Sequence, residues 1–448
     1  MRVIVIGAGK LGYSIAELLS KESFDVVMVD HDAAQLEAPK ETLDVLTIHA
    51  NGASPITMNE PDIRGADILI AVTGQDEVNM VACILAKKHG IHHTVARIRD
   101  MQFMGEAKEY LKENFDIDIL LNPELITAHE INRILMTPAA LNVEDFAHGK
   151  VRLFETRIRR NSPYARQKLK DVVLPPGVLA GMIFRDHRMI IPHGDDALLP
   201  RDNAYFIGIP SAIEEFSQAV AQRNAKPVHH VMIIGAGRTG RALATMLDRQ
   251  GVAVKVIDKD RERGQRVAGK LRHGIAVWGD GTDITLLQEE DVATMDVVVC
   301  LTDDDKLNLM LALIAKHLGA DKTVVRVMRN EYVELMEKVG VDIVLSSRLL
   351  SASEVLAFAR RGGVVSVSLL EGAKAEAVEV IMQEGAPAAG KRLMDAKLPK
   401  ECLVCAYVRG DEAGIPNGTT VLLPGDRIIL FIQTQFAQKV MTYFKGKE

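Results

Sequence analysis

An apolar run that breaks into G-x-G-x-x-G and then into a helical pattern restricts this chain more than any other feature, and it occurs twice. Val3-Ile4-Val5-Ile6 leads into Gly7-Ala8-Gly9-Lys10-Leu11-Gly12, and Val231-Met232-Ile233-Ile234 leads into Gly235-Ala236-Gly237-Arg238-Thr239-Gly240, 228 positions later. In such a turn the first glycine lets the chain leave the strand sharply. The second admits a pyrophosphate against the backbone, and the third lets the helix pack close to the sheet. Free N–H groups at the helix start then face an anion. The pattern points to a dinucleotide only where a strand precedes it and an acid follows about 20 residues on. Asp25–Asp30 supplies a second strand and the carboxylate of Asp30, 18 residues beyond Gly12; Val254–Asp258 repeats both with Asp258, 18 beyond Gly240.

At 448 residues the chain exceeds one ordinary core and calls for about three to four domains. A net charge of −6 leaves no basic field to hold a polyanion, and 4% aromatics argue against base-stacking surfaces, so nucleic acid is not an expected partner. No apolar run approaches the ~20 residues of a membrane span, and Met1 runs almost directly into a strand without a signal-peptide pattern. These features lead us to expect a soluble, cytoplasmic protein. Four scattered cysteines make no disulfide framework; Cys402-x-x-Cys405 lies in a strand-like run and reads as buried small side chains. The adjacent pairs His92-His93 and His229-His230 lack zinc-ligand spacing, so no metal site is expected.

Strand runs at 45–48, 68–72, 94–98 and 117–120, separated by helical patterns such as Val78–Lys88, predict a doubly wound parallel sheet covered on both faces. Ligands in such sheets lie at the carboxyl ends of the strands. Two further loops belong to that edge: Asn51-Gly52-Ala53-Ser54, repeated as Asp280-Gly281-Thr282-Asp283, and a T-x-x-D-x-x-N stretch, Thr73 to Asn79, repeated as Thr302 to Asn308. Asp76 and Asp305 stand where a helix N-cap belongs, whereas Thr73 and Gly74 are read as ligand contacts. Arg97 and Arg326 match at the same offset. A charged residue in such a strand needs a partner, either a ligand phosphate or carboxylate or an interface.

A helix is expected from Glu124 to about Leu141 and again from Leu349 to Arg361, with Glu130 matching Glu354. Smaller β-rich segments follow, tied by the repeated turns Leu199-Pro200-Arg201-Asp202 and Leu423-Pro424-Gly425-Asp426. The reading is α/β: two Rossmann-like doubly wound domains, 1–123 and 228–348, each followed by a crossover helix, 124–142 and 349–362, and a small α+β domain, 143–227 and 363–448. A polar linker ending in proline is expected at Gln222–Pro227. The small domains are expected to pair through alternating strands, with a second small ligand as the other possibility.

Gly7-Ala8-Gly9 with Asp30, the Ala71-Val72-Thr73 loop before Asp76–Cys83, the Ala96–Arg99 strand and the duplicated Leu-Pro and Pro-x-Asp turns resemble the TrkA-type regulators of potassium uptake built from KTN/RCK domains. The resemblance spans nearly the whole chain. It implies a cytoplasmic homotetramer, peripheral on the inner face of the membrane, whose eight nucleotide domains form a ring under a TrkH-type potassium channel. NAD(H), or an adenine nucleotide such as ATP or ADP, would bias the ring's shape. Carried over by position, the first site comprises Gly7, Ala8, Gly9, Lys10, Leu11, Asp30, Thr73, Gly74 and Arg97. The second comprises Gly235, Ala236, Gly237, Arg238, Thr239, Asp258, Thr302, Asp303 and Arg326. The copies differ where Asp303 replaces Gly74 and Lys259 replaces His31.

An NAD-dependent oxidoreductase is the rival class, and it needs a domain presenting a proton donor beside the nicotinamide. None is visible: His187 and His193 align with Asp411 and Asn417, so no catalytic residue is assigned. A regulator of a cation–proton antiporter would use the same modules.

Overall fold

The computed structural model describes all residues except 23, 138–139, 161, 186–187, 222–227, 361–363, 371–373 and 447–448. The expected linker at Gln222–Pro227 and the side chain of His187 lie outside the described residues.

The chain forms two compact units: one holds Met1–Ile126 with Arg348–Arg360, the other Thr127–Ser347 with the chain after Arg360. In the first unit six parallel strands, β1 (Arg2–Ile6), β2 (Asp25–Asp30), β3 (Leu46–His49), β4 (Ile68–Ala71), β5 (His93–Arg97) and β6 (Ile119–Leu121), are ordered β3-β2-β1-β4-β5-β6. Between them run helices α1 (Lys10–Lys21), α2 (Ala33–Thr42), α3 (Pro55–Met58), α4 (Asp76–Lys88) and α5 (Glu106–Phe115). The apolar runs of β1 and β4 sit in the middle and are fully covered, as strands with helices on both faces must be. Strand order reverses between β1 and β4, which opens a crevice at their carboxyl ends.

Next come α6 (Pro123–Leu135), five strands β7 (Asn142–Phe146), β8 (Val151–Arg157), β9 (Val178–Arg185), β10 (Arg188–Ile190) and β11 (Asn203–Gly208), and α7 (Pro210–Ala221). The strands form an antiparallel sheet ordered β10-β9-β11-β8-β7. The same plan then repeats. A second parallel sheet is built from β12 (His230–Ile234), β13 (Ala253–Asp258), β14 (Ile275–Trp278), β15 (Val297–Cys300), β16 (Lys322–Val327) and β17 (Ile343–Ser346), ordered β14-β13-β12-β15-β16-β17. Its helices are α8 (Arg238–Arg249), α9 (Arg261–Ala268), α10 (Ile284–Glu289), α11 (Asp305–His317) and α12 (Glu331–Val339), and α13 (Ser347–Ala359) follows β17 in the chain. A second antiparallel sheet holds β18 (Val364–Leu370), β19 (Ala375–Ile381), β20 (Cys402–Arg409), β21 (Glu412–Gly414) and β22 (Arg427–Gln433), before α14 (Ala437–Met441). The fold is therefore a tandem duplication of a Rossmann-like domain and a small antiparallel domain.

One expectation is corrected. The helix expected to reach Leu141 ends at Leu135, ahead of Pro138, which lacks the N–H that a continuing helix needs. The crossover helices also pack beyond their own halves, α6 sharing one core with Phe154 and Phe206 of its own small sheet and with the second parallel sheet. Within the second unit, Ala128, Ile131 and Ile134 of α6 join a core with Val231 and Ile233 of β12, while in the first unit Phe358 of α13 meets the ring of His93 at 5.7 Å. Arg360 and Glu22 close that packing with a buried ion pair.

Within the second unit the two small sheets pair through one core containing Met182, Tyr205, Ile207, Cys405, Ile429 and Phe431. A Cβ at Gly181 would fall 2.4 Å from the Phe431 ring, so the pairing depends on that bare backbone. Cys402 and Cys405 are free and buried in β20, and burial pushes the Cys402 thiol up to about 12. The repeated Leu-Pro-x-Asp turns have one cause: Asp202 accepts from Leu199 N–H at 2.7 Å and from Arg185, and Asp426 does the same with Leu423 and Arg409.

Candidate nucleotide site

The three glycines of each turn are there for different reasons. Gly7 has φ +100°, a region closed to most side chains, and its missing Cβ would stand 3.0 Å from Thr73 N. A Cβ on Gly12 would strike the Gly7 carbonyl oxygen at 1.8 Å. Gly9 is unlike both. Its φ and ψ of −65° and −177° suit any residue, and nothing lies within 4 Å of where its Cβ would be. Gly237 repeats this, with φ −63°, ψ −171° and the same empty space. Folding does not require glycine at either position, whereas a phosphate seated over the helix start does. The first-turn N–H groups of α1 and α8, including those of Lys10, Leu11, Arg238 and Thr239, have no partner inside their helices and are the donors that an anion at the helix start would meet. The side chains of Leu11 and Thr239 are buried and those of Lys10 and Arg238 exposed, so Leu11 and Thr239 offer a ligand only their backbone.

Asp30 closes the loop. Its Oδ2 accepts from Ala8 N–H at 2.7 Å and its Oδ1 from Asp32 N–H at 2.9 Å, with His31 Nδ1 at 3.1 Å. Asp258 accepts from Ala236 N–H at 2.6 Å and from Asp260 N–H at 2.7 Å. Each carboxylate oxygen keeps a second lone pair, so the acid that shapes the turn can also take ribose hydroxyls.

Across the crevice, Thr73 and Thr302 are held by asparagines that the sequence reading passed over. Asn79 is fully buried; its Oδ1 accepts from Thr73 N–H (2.9 Å) and Thr73 Oγ1 (2.7 Å), and its Nδ2 donates to Arg97 O (2.9 Å). Asn308 makes the same set to Thr302 and Arg326. The signal was the spacing T-x-x-D-x-x-N surviving in both copies. Asp76 and Asp305 do not cap their helices. They occupy the first helical position behind the caps Gln75 and Asp304, and they accept from the backbone of Arg99 and Asp100, and of Met328 and Arg329. Gly52 and Gly281 are packing glycines, since a Cβ there would overlap Ile6 and Ile234.

The copies part at the arginines. Arg97 reaches Thr73 O at 3.5 Å, and the residue after Thr73 is Gly74, with nothing within 4 Å of its Cβ position. Arg326 is 8% exposed, donates to Thr302 O at 2.9 Å and meets Asp303 Oδ1 at 3.3 Å. An anion entering the second crevice must therefore compete with Asp303 for that guanidinium.

Comparison with known proteins agrees with this architecture. The TrkA-N domain family matches residues 3–123 and 231–347, and the TrkA-C domain family matches 153–221 and 377–445. A Trk system potassium uptake protein TrkA homolog of Methanosarcina mazei is 36% identical, with 99% of this chain and 100% of that protein covered. The Trk system potassium uptake protein TrkA of Vibrio alginolyticus is 32% identical over 96% of each. Among solved structures, the GsuK RCK domain superposes with a TM-score of 0.64 at 18% identity, covering 99% of this chain and 94% of that one. The GsuK channel bound to NAD gives 0.64 at 17% identity, covering 99% and 78%. Among the described residues no helix is long and apolar enough to cross a membrane. Two TrkA-N and two TrkA-C domains in alternation, and full-length identity above 30%, establish that this chain belongs to the TrkA family of Trk-system potassium uptake proteins.

Proposed function

We propose that the chain is the nucleotide-sensing regulatory subunit of a Trk-type potassium uptake system, working by binding rather than by catalysis. NAD(H), and ATP or ADP in competition with it, would sit with the diphosphate over Gly9 and Gly237 and the adenosine ribose on Asp30 and Asp258. The carboxylates disfavour the 2′-phosphorylated cofactor. The chain would act as a homotetramer on the cytoplasmic face of a TrkH-type channel, where each nucleotide favours one packing of the ring. The observation that carries this reading is the space kept open at Gly9 and Gly237, where the fold would accept a side chain. The GsuK channel, which shares the fold, has been solved with NAD. A ligand moves such an equilibrium by no more than its differential affinity. Going from 1:99 to 99:1 takes about 5.5 kcal/mol, which several sites in one ring can share.

The test compares wild type with Gly9→Val and Gly237→Val. We expect each variant to fold and assemble normally, to lose NADH and ADP binding at its own site by calorimetry, and to blunt the nucleotide response of ion flux through a reconstituted TrkH-type channel. A doubly substituted protein that assembles and still gives the full nucleotide response would exclude these crevices as the control element.

A further inference from the structure

The two crevices have different outer walls. In the parallel register of the second sheet, Asp258 at the end of β13 pairs with Trp278 at the end of β14. Trp278 is the chain's one tryptophan and is 66% exposed, an unusual state for the largest apolar side chain. It is not loose. Its Nε1 donates to the carbonyl of Lys259 at 3.1 Å, which fixes the indole beside the residue that follows Asp258. The guanidinium of Arg261 lies over the ring, 5.9 Å from the centroid, and most of the indole is still exposed. The first sheet keeps the position but changes the chemistry: Asp30 pairs with His49, whose Nε2 lies 3.0 Å from the carbonyl of His31.

We propose that Trp278, backed by Arg261, is a stacking wall for the adenine ring in the second crevice, and that the first crevice has no such wall. The inference rests on the nucleotide reading above. If Asp258 holds the adenosine ribose, the base attached to that ribose is carried toward the strand next to Asp258, where the fixed indole stands. A π face held by a hydrogen bond at its edge and a cation behind it suits a flat, electron-poor base, and loses little freedom on binding. Stacking compensates for what Asp303 takes away by occupying Arg326: the second crevice would grip the base more and the phosphates less. Every nucleotide considered for this family contains adenosine diphosphate, so ADP is the probe that tests the wall without assuming which nucleotide is native.

The experiment titrates the full-length protein with ADP, following tryptophan emission and calorimetric heat together. We expect saturable quenching that persists in Gly9→Val and vanishes in Gly237→Val. Trp278→Ala should weaken the second site about tenfold, and Trp278→Phe should restore most of the loss. ADP heat that depends on Gly237 while emission stays unchanged, or a Trp278→Ala affinity equal to wild type, would overturn the wall and leave the nucleotide site standing. Absence of both heat and quenching in wild type would overturn the site and the wall together.

Discussion

Replacing Asn308 by alanine removes the clamp that ties Thr302 to the end of β16, and the structure sets the size of the effect. Four hydrogen bonds are lost, at 2.9 and 2.6 Å to the Thr302 N–H and hydroxyl and at 3.1 and 3.0 Å to the Thr302 and Arg326 carbonyls. Each is worth about 0.5–1.5 kcal/mol net, and the partners left behind are three backbone groups and the Thr302 hydroxyl beside a fully buried site. Water entering from the crevice recovers part of this, which leaves about 2–4 kcal/mol. The chain has two compact units, so a single unfolding midpoint would blur the effect. Native-state hydrogen exchange at the Thr302 amide reads it locally. At 1.36 kcal/mol per decade, exchange should accelerate between about 30-fold and 10³-fold. Asn79→Ala is an internal replicate, since its bonds to Thr73 and Arg97 have the same pattern. If neither substitution changes exchange by more than about threefold, the clamp is not what holds these loops.

Gly12→Ala should prevent the first unit from folding, because the added carbon meets the Gly7 carbonyl at 1.8 Å, whereas Gly9→Ala should change the thermal midpoint by only a few degrees. Equal losses in the two variants, seen by thermal denaturation, would contradict the division of roles among the glycines. Asp303→Gly, measured by calorimetry in a Gly9→Val background, should tighten ADP binding at the second site about two- to fivefold; the gain is small because Asp303 is largely exposed and its ion pair with Arg326 correspondingly weak. Weaker binding would show that Asp303 assists the ligand. Glu130 and Glu144 share the one guanidinium of Arg133, with Asp145 nearby, and burial above all, with those like charges, holds the Glu130 carboxyl well above its usual range. A raised folded value means that this group's contribution to stability is complete below the ordinary glutamate range and is lost as pH rises through the folded value. Glu130→Gln should therefore flatten the decline in stability between about pH 5 and 9, and an unchanged slope would refute that assignment.

The Rossmann sheets were legible because their logic is local. Gly7, Gly12 and Asp30 all act within one strand–turn–helix–strand unit at a fixed separation in the chain, and that leaves a spacing in the sequence. Asp76 was misread because capping and bridging use the same residue type one position apart, and only the fold shows that the backbone of Arg99 reaches it. The periodicity of α6 and α13 records that each has a face to bury without recording which sheet will cover it. Asn79 was visible as a repeated letter, but its role needed the end of β5 in view. Trp278 carried no motif, since what distinguishes it is its exposure beside Asp258.

The second unit takes α6 from Thr127 onward and the first takes α13 from Arg348, so each nucleotide fold is completed in part by a helix that follows the other one in the chain. Severed between its repeats, the first half would keep α6, whose Ala128, Ile131 and Ile134 share a core with Phe154 and Phe206 of their own small sheet, but would lose the part of that core that Val231 and Ile233 supply. Apolar surface uncovered in that way seeks a partner. Two identical halves could cover it for one another around a two-fold axis. Fusing the halves makes that contact intramolecular, and it frees the two crevices to diverge, as Asp303 and Trp278 have done relative to Gly74 and His49.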